Sequence, residues 1–319
     1  MKRLSYSIFK KLLAVGIIIT ACFQLNAQIK IHHKFEYSII KGKKVLVRYN
    51  GNKKKLNLKK DTFWNDLYKI GKGAFIHKDN LKVVKFPSSL REIQSGAFYS
   101  CKNLKRIVLP DSLRYIGNGS FLRCINLKLK RLPKGIELIR DFAFSECHKV
   151  NISELPDKVK LINNNCFYEN YGLTYLKIGS NIKKIDFYAF CKSVNLKTII
   201  FEDGCELIRS EAFLWCKKLK KIIFPNTLKK IENRAFYNCH SLIKINLPKS
   251  LKYIQHEAFS NCKRLRIVNC YMEIPPIIRR FTKIFPKNIV VHVKKSKNSE
   301  IKNKYIRAGW NKYKIIEDL

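Results

Sequence analysis

Residues 97–121 read AFYSCKNLKRIVLPDSLRYIGNGSF, and the phrase returns as AFLWCKKLKKIIFPNTLKKIENRAF from Ala212 and as AFYNCHSLIKINLPKSLKYIQHEAF from Ala235. The beat is 23 residues, and it runs well beyond these three copies. Phenylalanine recurs on it as Phe75, Phe98, Phe121, Phe144, Phe167, Phe190, Phe213, Phe236 and Phe259. Five residues before each stands an isoleucine, from Ile70 and Ile93 through to Ile231 and Ile254. Six residues after each comes Leu or Val, from Leu81 to Leu265, and six of the nine units carry a proline twelve residues on, such as Pro87 and Pro110. A fold with one closed core has no need of nine identical apolar phases. A solenoid does, because each coil buries its inward residues only against the coils above and below.

Within one unit, Leu104, Ile107 and Leu109 predict a short strand that stops at Pro110, which lacks the N–H for a ladder bond. Stacked coils then pair these strands into a parallel sheet. The SLRYI stretch behind it returns the chain along the opposite side through Gly, Asn and Ser turns. The small residue before each Phe lets the ring tuck under the neighbouring coil. In the third and fourth repeats the middle apolar residue moves to Leu129 and Ile152, leaving Lys130 and Ser153 where an aliphatic would sit, which predicts a local kink or bulge.

Residues 1–27 have the make-up of a bacterial export signal: a basic start (Lys2, Arg3, Lys10, Lys11), a short apolar LLAVGIII stretch and the small-residue region TACFQLNAQ. The apolar stretch is too short to span a bilayer. Two outcomes fit: cleavage after Ala27 to release a soluble chain, or lipidation of Cys22 within the lipobox-like ITAC, the only route by which a membrane contact is expected. Removing the four basic residues lowers the net charge from +42 to +38. Such a field draws acidic partners but says nothing of fold.

The repeat phrase resembles the leucine-rich repeats of bacterial surface proteins of the BspA type, whose unit is I-G-x-x-A-F-x-x-C-x-x-L-x-x-I-x-L-P. The resemblance runs from about Phe35 to the C-terminus. It implies a β-rich leucine-rich repeat solenoid, with a short parallel strand per coil, irregular, short 3-10 or strand return segments, and a curved right-handed superhelix. On this plan residues 28–66 form an atypical first coil, 67–270 nine repeat coils, and 271–319 a closing unit in which Tyr305, Trp310 and Tyr313 cover the last coil. Tyr188, Cys191, Cys205 and the WND insertion at Trp64 depart from the pattern and put only coil regularity in doubt. The resemblance also implies a surface or secreted protein whose role is contact, by adhesion to host proteins, matrix or other cells. It implies no chemistry.

The residues themselves show no catalytic constellation. Cys101, Cys124, Cys147, Cys216, Cys239 and Cys262 all lie three residues after a repeat Phe, one per coil, and so form a column of small buried side chains. Coils about 4.8 Å apart also leave disulfides between neighbours within reach. Metal binding has no C-x-x-C or Cys/His cluster behind it. His148 and His240 follow column cysteines, but Lys102, Lys217 and Lys263 hold the same place in other coils, which reads as a solvent position. No H-E-x-x-H, G-x-S-x-G, phosphate-cradling loop or paired carboxylates occur, so neither an enzyme nor a cofactor is expected.

What remains is positive charge in register. Lys82, Lys105, Lys128, Lys197, Lys220 and Arg266 follow the strand Leu, and Arg91, Arg114, Lys160, Lys183, Lys229 and Lys252 stand seven before the repeat Phe. Each set occupies one angular position and forms a stripe along the solenoid. At about 5 Å in water a like-charged pair costs below roughly 1 kcal/mol, and salt reduces it. Two readings therefore stand side by side: solvated faces, or contact with proteins or acidic polysaccharides. Tyr175, Ile200, Ile223 and Ile243 add an apolar patch on the strand face. Export argues against nucleic acid, and stripes do not read bases. An envelope component holding anionic polymers of its own cell is the alternative to an adhesin.

Overall fold

The computed structural model describes residues 28–278 and 283–319. The export signal, with Cys22 and Ala27, lies outside them. The chain is a β-solenoid of about 12 coils with parallel strands.

The nine phenylalanines stack in single file along its axis. Neighbouring rings lie 4.8 Å apart for Phe75–Phe98, 5.6 Å for Phe144–Phe167 and 5.0 Å for Phe236–Phe259, with planes within 8° of parallel. All nine are buried. Their backbones are bound as tightly as their rings. Each Phe but the last donates its N–H to the carbonyl of the small residue one coil on: Phe75 to Ala97 at 2.7 Å, Phe144 to Cys166 at 2.9 Å, Phe236 to Ala258 at 2.8 Å. A larger residue before the Phe would hold the coils apart.

This turn has a conformation the sequence barely signals. The residues two before and two after each Phe have left-handed backbones, as at Gly96 (φ 61°) and Ser100 (φ 58°) or Glu211 (φ 61°) and Trp215 (φ 64°). Only Gly73, Gly96 and Gly119 are glycines; a non-glycine residue there costs roughly 1–2 kcal/mol. The return is hydrogen bonding. Gly96, Phe98 and Ser100 donate to Asn118, Ser120 and Leu122 at 2.7–2.9 Å, so three N–H groups per turn point the same way along the axis.

Most coils carry two strands, not one, in two ladders that hydrogen bonding divides into three sheets for the first and two for the second. The first ladder holds the predicted strands, among them Val83–Lys85, Arg106–Val108, Tyr175–Ile178, Thr198–Phe201 and Lys221–Ile223. The second lies on the return segment, in two-residue rungs such as Glu92–Ile93, Lys230–Ile231 and Tyr253–Ile254, whose isoleucines point inward. The first ladder breaks in the third and fourth coils, as Lys130 and Ser153 predict, and again between Lys221–Ile223 and Lys244–Leu247. Leu129 and Ile152 turn inward there, and the Asn151 N–H bonds to the Leu129 carbonyl, one residue out of register. Only a bridge between Glu154 and Lys177 spans the gap.

At the N-terminal end, β1 (Lys30–His32), β2 (Phe35–Ile40) and β3 (Lys43–Tyr49) form an antiparallel meander whose last strand joins the second ladder in parallel. Trp64, in the 3-10 turn Thr62–Trp64, is fully buried edge-on to Phe35 and Tyr37. At the other end Phe285 stacks on Phe259 at 5.5 Å, and the Phe259 N–H bonds to Ile284 as to an ordinary next coil. Trp310 and Tyr313 pack on Phe285, and Tyr305 on Trp310. Strands Val290–Val293 and Lys314–Glu317 carry the first ladder two rungs further.

Because the Phe190 ring is buried and stacks on the rings of the coils before and after it, Phe190→Ala should lower stability by about 3–5 kcal/mol. Hydrogen exchange should rise first in the coils of Phe167 and Phe213. Uniform loss of protection along the whole chain would contradict the nearest-neighbour column.

Candidate binding surface

The first ladder presents one outward face. Lys82, Lys105, Lys128, Lys197, Lys220 and Arg266 are all exposed on it. Their backbones fix the stacking: Lys105 N bonds Lys82 O at 2.9 Å, Lys128 N bonds Lys105 O at 3.0 Å, and Lys220 N bonds Lys197 O at 2.8 Å. The row has interruptions that spacing alone hides. Asn151 and Thr174 divide it where the register slips, and Ile243 separates Lys220 from Arg266. Among the described residues none of these six pairs with a carboxylate. The Arg266 guanidinium donates to the carbonyls of Lys263 and Leu265 at 2.9 Å. The adjoining outward position adds the exposed bases Arg106, Lys221 and Lys244, missed in the sequence because they alternate with Val83, Tyr175 and Thr198 in the same column.

The second set of bases behaves differently. It stacks as expected, with Arg114 N on Arg91 O and Lys252 N on Lys229 O. However, Glu137 and Glu206 occupy two rungs of the same column. Glu206 pairs with Lys229 at 2.7 Å, and Glu137 lies 3.5 Å from Arg114. Arg91 and Arg114 are half-buried and donate to carbonyls of their own turns, at Ser88 (2.8 Å) and Asp111 (2.9 Å). Lys160, Lys183 and Lys252 remain exposed. Carboxylates elsewhere are spent the same way, one coil from a base: Lys69–Glu92, Arg123–Glu146, Lys192–Glu169, Arg209–Asp186 and Arg234–Glu257. Among the described residues the outward carboxylates of the first ladder are Glu154, Glu202 and Asp318, Glu202 pairing with Lys177 at 2.5 Å and Asp318 with His292 at 2.8 Å. Its charge is therefore the less compensated.

Of the apolar candidates on this face, Tyr175, Ile223 and Ile243 are 38%, 41% and 47% exposed, while Ile200 is half-buried between Lys177 and Ile223. They lie among the bases and do not form a continuous patch.

The column cysteines are buried and unbridged, as are Cys166, Cys191, Cys205 and Cys270. They are more than small hydrophobes. Each thiol donates to the carbonyl of the preceding coil's Phe: Cys101 to Phe75 at 2.9 Å, Cys147 to Phe121 at 3.0 Å, Cys262 to Phe236 at 3.2 Å. Ser193 makes the same bond to Phe167 at 3.1 Å. Burial pushes the Cys101 and Cys262 thiols up to about 12 and raises those of Cys124, Cys147, Cys216 and Cys239 as well. A thiolate, the form that attacks or binds metal, is disfavoured throughout. His148 is not the free surface residue its position suggests. Its ring stacks on Tyr171, 4.4 Å away in the next coil, and the accompanying burial lowers its pKa. His240 is shifted the same way, by burial and then by Lys263 and Lys217. No group of three potential metal ligands occurs among the described residues.

The repeat model described as "BspA type Leucine rich repeat region" matches residues 50–174 and 160–280, with six copies. The chain belongs to this family. Similar solved structures include a leucine rich cell surface protein of Faecalibacterium prausnitzii A2-165, at 16% identity over 92% of this chain and 100% of that one, TM-score 0.48. Another is the leucine rich repeat protein of T. pallidum, at 23% identity over 75% and 91%, TM-score 0.46. A third is the pneumococcal vaccine antigen PcpA, at 17% identity over 92% and 99%, TM-score 0.44. No curated protein matches the chain. Family membership supports recognition or binding as the class of function and the cell surface or exterior as the place. A leucine-rich repeat solenoid is typically non-enzymatic.

The thiol column sets an alkaline limit. A thiol near 12 when folded and near 9 when unfolded stabilises the fold below pH 9, and that contribution is lost as pH rises towards 12. By pH 10 the loss is about 1.4 kcal/mol per thiol. Urea titrations should show stability falling above pH 9, and Cys262→Ser should spare about that much at pH 10 while leaving neutral stability little changed. Equal pH dependence in the variant would contradict this.

Proposed function

We propose that this chain is an exported cell-surface recognition protein that meets acidic macromolecules on the outward face of its first ladder. The observation that carries the reading is the unequal use of charge. Carboxylates pair with bases along the turns and the second ladder, whereas Lys82, Lys105, Lys128, Lys197 and Lys220 keep theirs unpaired in two in-register blocks. A block of lysines one coil apart, roughly 4.8 Å, suits a linear polyanion lying along the axis. Such a partner gains affinity by releasing counterions, with no need of a shaped pocket. The interspersed Tyr175, Ile223 and Ile243 suit acidic proteins or glycoproteins, which offer apolar contacts beside their charge. An export signal in residues 1–27, ending at Ala27 or at a lipidated Cys22, would deliver this face to the cell exterior.

Binding to a sulfated polysaccharide such as heparin should fall steeply with salt. In Lys82→Glu/Lys105→Glu/Lys128→Glu the log–log salt slope should flatten by roughly two to three. The matched reversal Lys160→Glu/Lys183→Glu/Lys252→Glu on the second ladder should have a smaller effect. Equal loss from both triple variants would reduce the reading to net charge alone. No loss from either would discard it.

A further inference from the structure

The two ladders end differently. The first gains two rungs after Cys270, but among the described residues the second stops at Tyr253–Ile254. One coil on, its phase falls on Pro276 and Ile277, and proline has no N–H to donate to the Lys252 carbonyl. The chain is also held away: Trp310 Nε1 donates to the Pro276 carbonyl at 2.8 Å, and the Ile278 N–H goes to Ala308 at 2.7 Å. Where a rung would lie there is an open groove of about 1110 Å³, lined by Tyr253, Tyr271, Ile274, Pro275 and Ile277. Among the described residues no N–H reaches the carbonyls of Lys252 or Ile254. Tyr253 is 60% exposed, Ile274 82% and Ile277 80%.

The opposite end of the second ladder, whose hydrogen bonding is interrupted once between Leu138–Ile139 and Leu161–Ile162, presents the counterpart. Among the described residues β1 is its outermost strand and pairs on one side only, and Ile31 stands 76% exposed on it beside exposed Ile29. Since β1 runs antiparallel to β2, β2 antiparallel to β3, and β3 parallel to the next rung, β1 runs parallel to Tyr253–Ile254.

We infer that the groove receives β1 of a second copy of this chain, which supplies the missing parallel rung and joins copies head to tail. Ile29 and Ile31 then meet the apolar wall made by Tyr253, Ile274 and Ile277. Such a joint is heterologous and can repeat. It is also weak: one short rung buries far less than the ~1,200 Å² of a stable interface. Lys30 on the strand and Lys34 in the turn after it then face Lys249 and Lys252, while Lys294 is already paired with Glu273 at 3.1 Å. Like charges thus oppose the contact, and added salt strengthens it, the reverse of the polyanion reading, on which this inference does not depend.

The test is sedimentation equilibrium of the chain beginning at Gln28, from about 1 µM to 1 mM, in roughly 0.1 M and 1 M NaCl. The expected result is a weight-average mass that rises with concentration, and more so in the higher salt. Ile31→Lys and Ile277→Lys, both at exposed sites that leave the core untouched, should each weaken association at least tenfold. Mixed together they should form dimers and nothing larger, since one keeps a working groove and the other a working strand. A monomer throughout would overturn the proposal and leave the groove to a strand of a different protein. Association that falls with salt, or that ignores both substitutions, would overturn it equally.

Discussion

The bond from each column Phe N–H to the next coil's carbonyl, at 2.7–2.9 Å and to a small residue in all but the last, fixes the rise of the solenoid. The rings must then lie about one ladder spacing apart, and their near-parallel stacking follows from that repeat. The same translation applies to every outward position. A lysine in one coil therefore sits over whatever residue holds its phase in the next, and charge on this fold is written in rows. The two left-handed residues flanking each Phe are the cost of this arrangement. They turn three N–H groups per coil towards the following coil and hold the ring column in line.

That constraint explains which parts of the structure were legible in the sequence. Nine phases of Phe, with Ile before and Leu after, specify the column, the inward faces and the first ladder, because burial against identical neighbours demands identical residues. Lys130 and Ser153 located the ladder break for the same reason. The left-handed turns were hidden because only Gly73, Gly96 and Gly119 mark them; later coils place Phe142, Glu211 or Arg234 there and offset the strain with backbone bonds no sequence pattern records. Phe285 and Tyr49 were hidden too. Each lies 26 residues from the end of the column, not 23, so neither shares the beat although each packs on its last ring. The thiol donors escaped notice because a cysteine in an apolar column reads as a small hydrophobe until its carbonyl partner is visible.

The candidate surface was half legible. Register placed both sets of bases correctly on stacked positions, but the number of bases in a row is not its charge. Glu137 and Glu206 neutralise part of the second row, and Arg91 and Arg114 spend their guanidinium groups on nearby carbonyls. Among the described residues no comparable partner meets Lys82, Lys105 and Lys128. The distinction lies in the residues between the bases, which decide whether a row remains a source of field or closes on itself.

Repulsion within the first row also says what kind of partner suits it. Three ammonium groups roughly 5 Å apart cost below about 1 kcal/mol per pair in water, because each side chain is free to swing into solvent. A compact anion would have to draw those side chains together, adding ordering entropy to the repulsion it relieves. A chain of anionic groups with its own axial repeat lets each lysine keep a separate counter-charge, and gains with every coil it crosses. The break at Asn151 and Thr174 then limits any one uninterrupted contact to the span of Lys82–Lys128 or of Lys197–Lys220. A long flexible polymer can bridge that interval between the two blocks, whereas a short rigid one must choose between them.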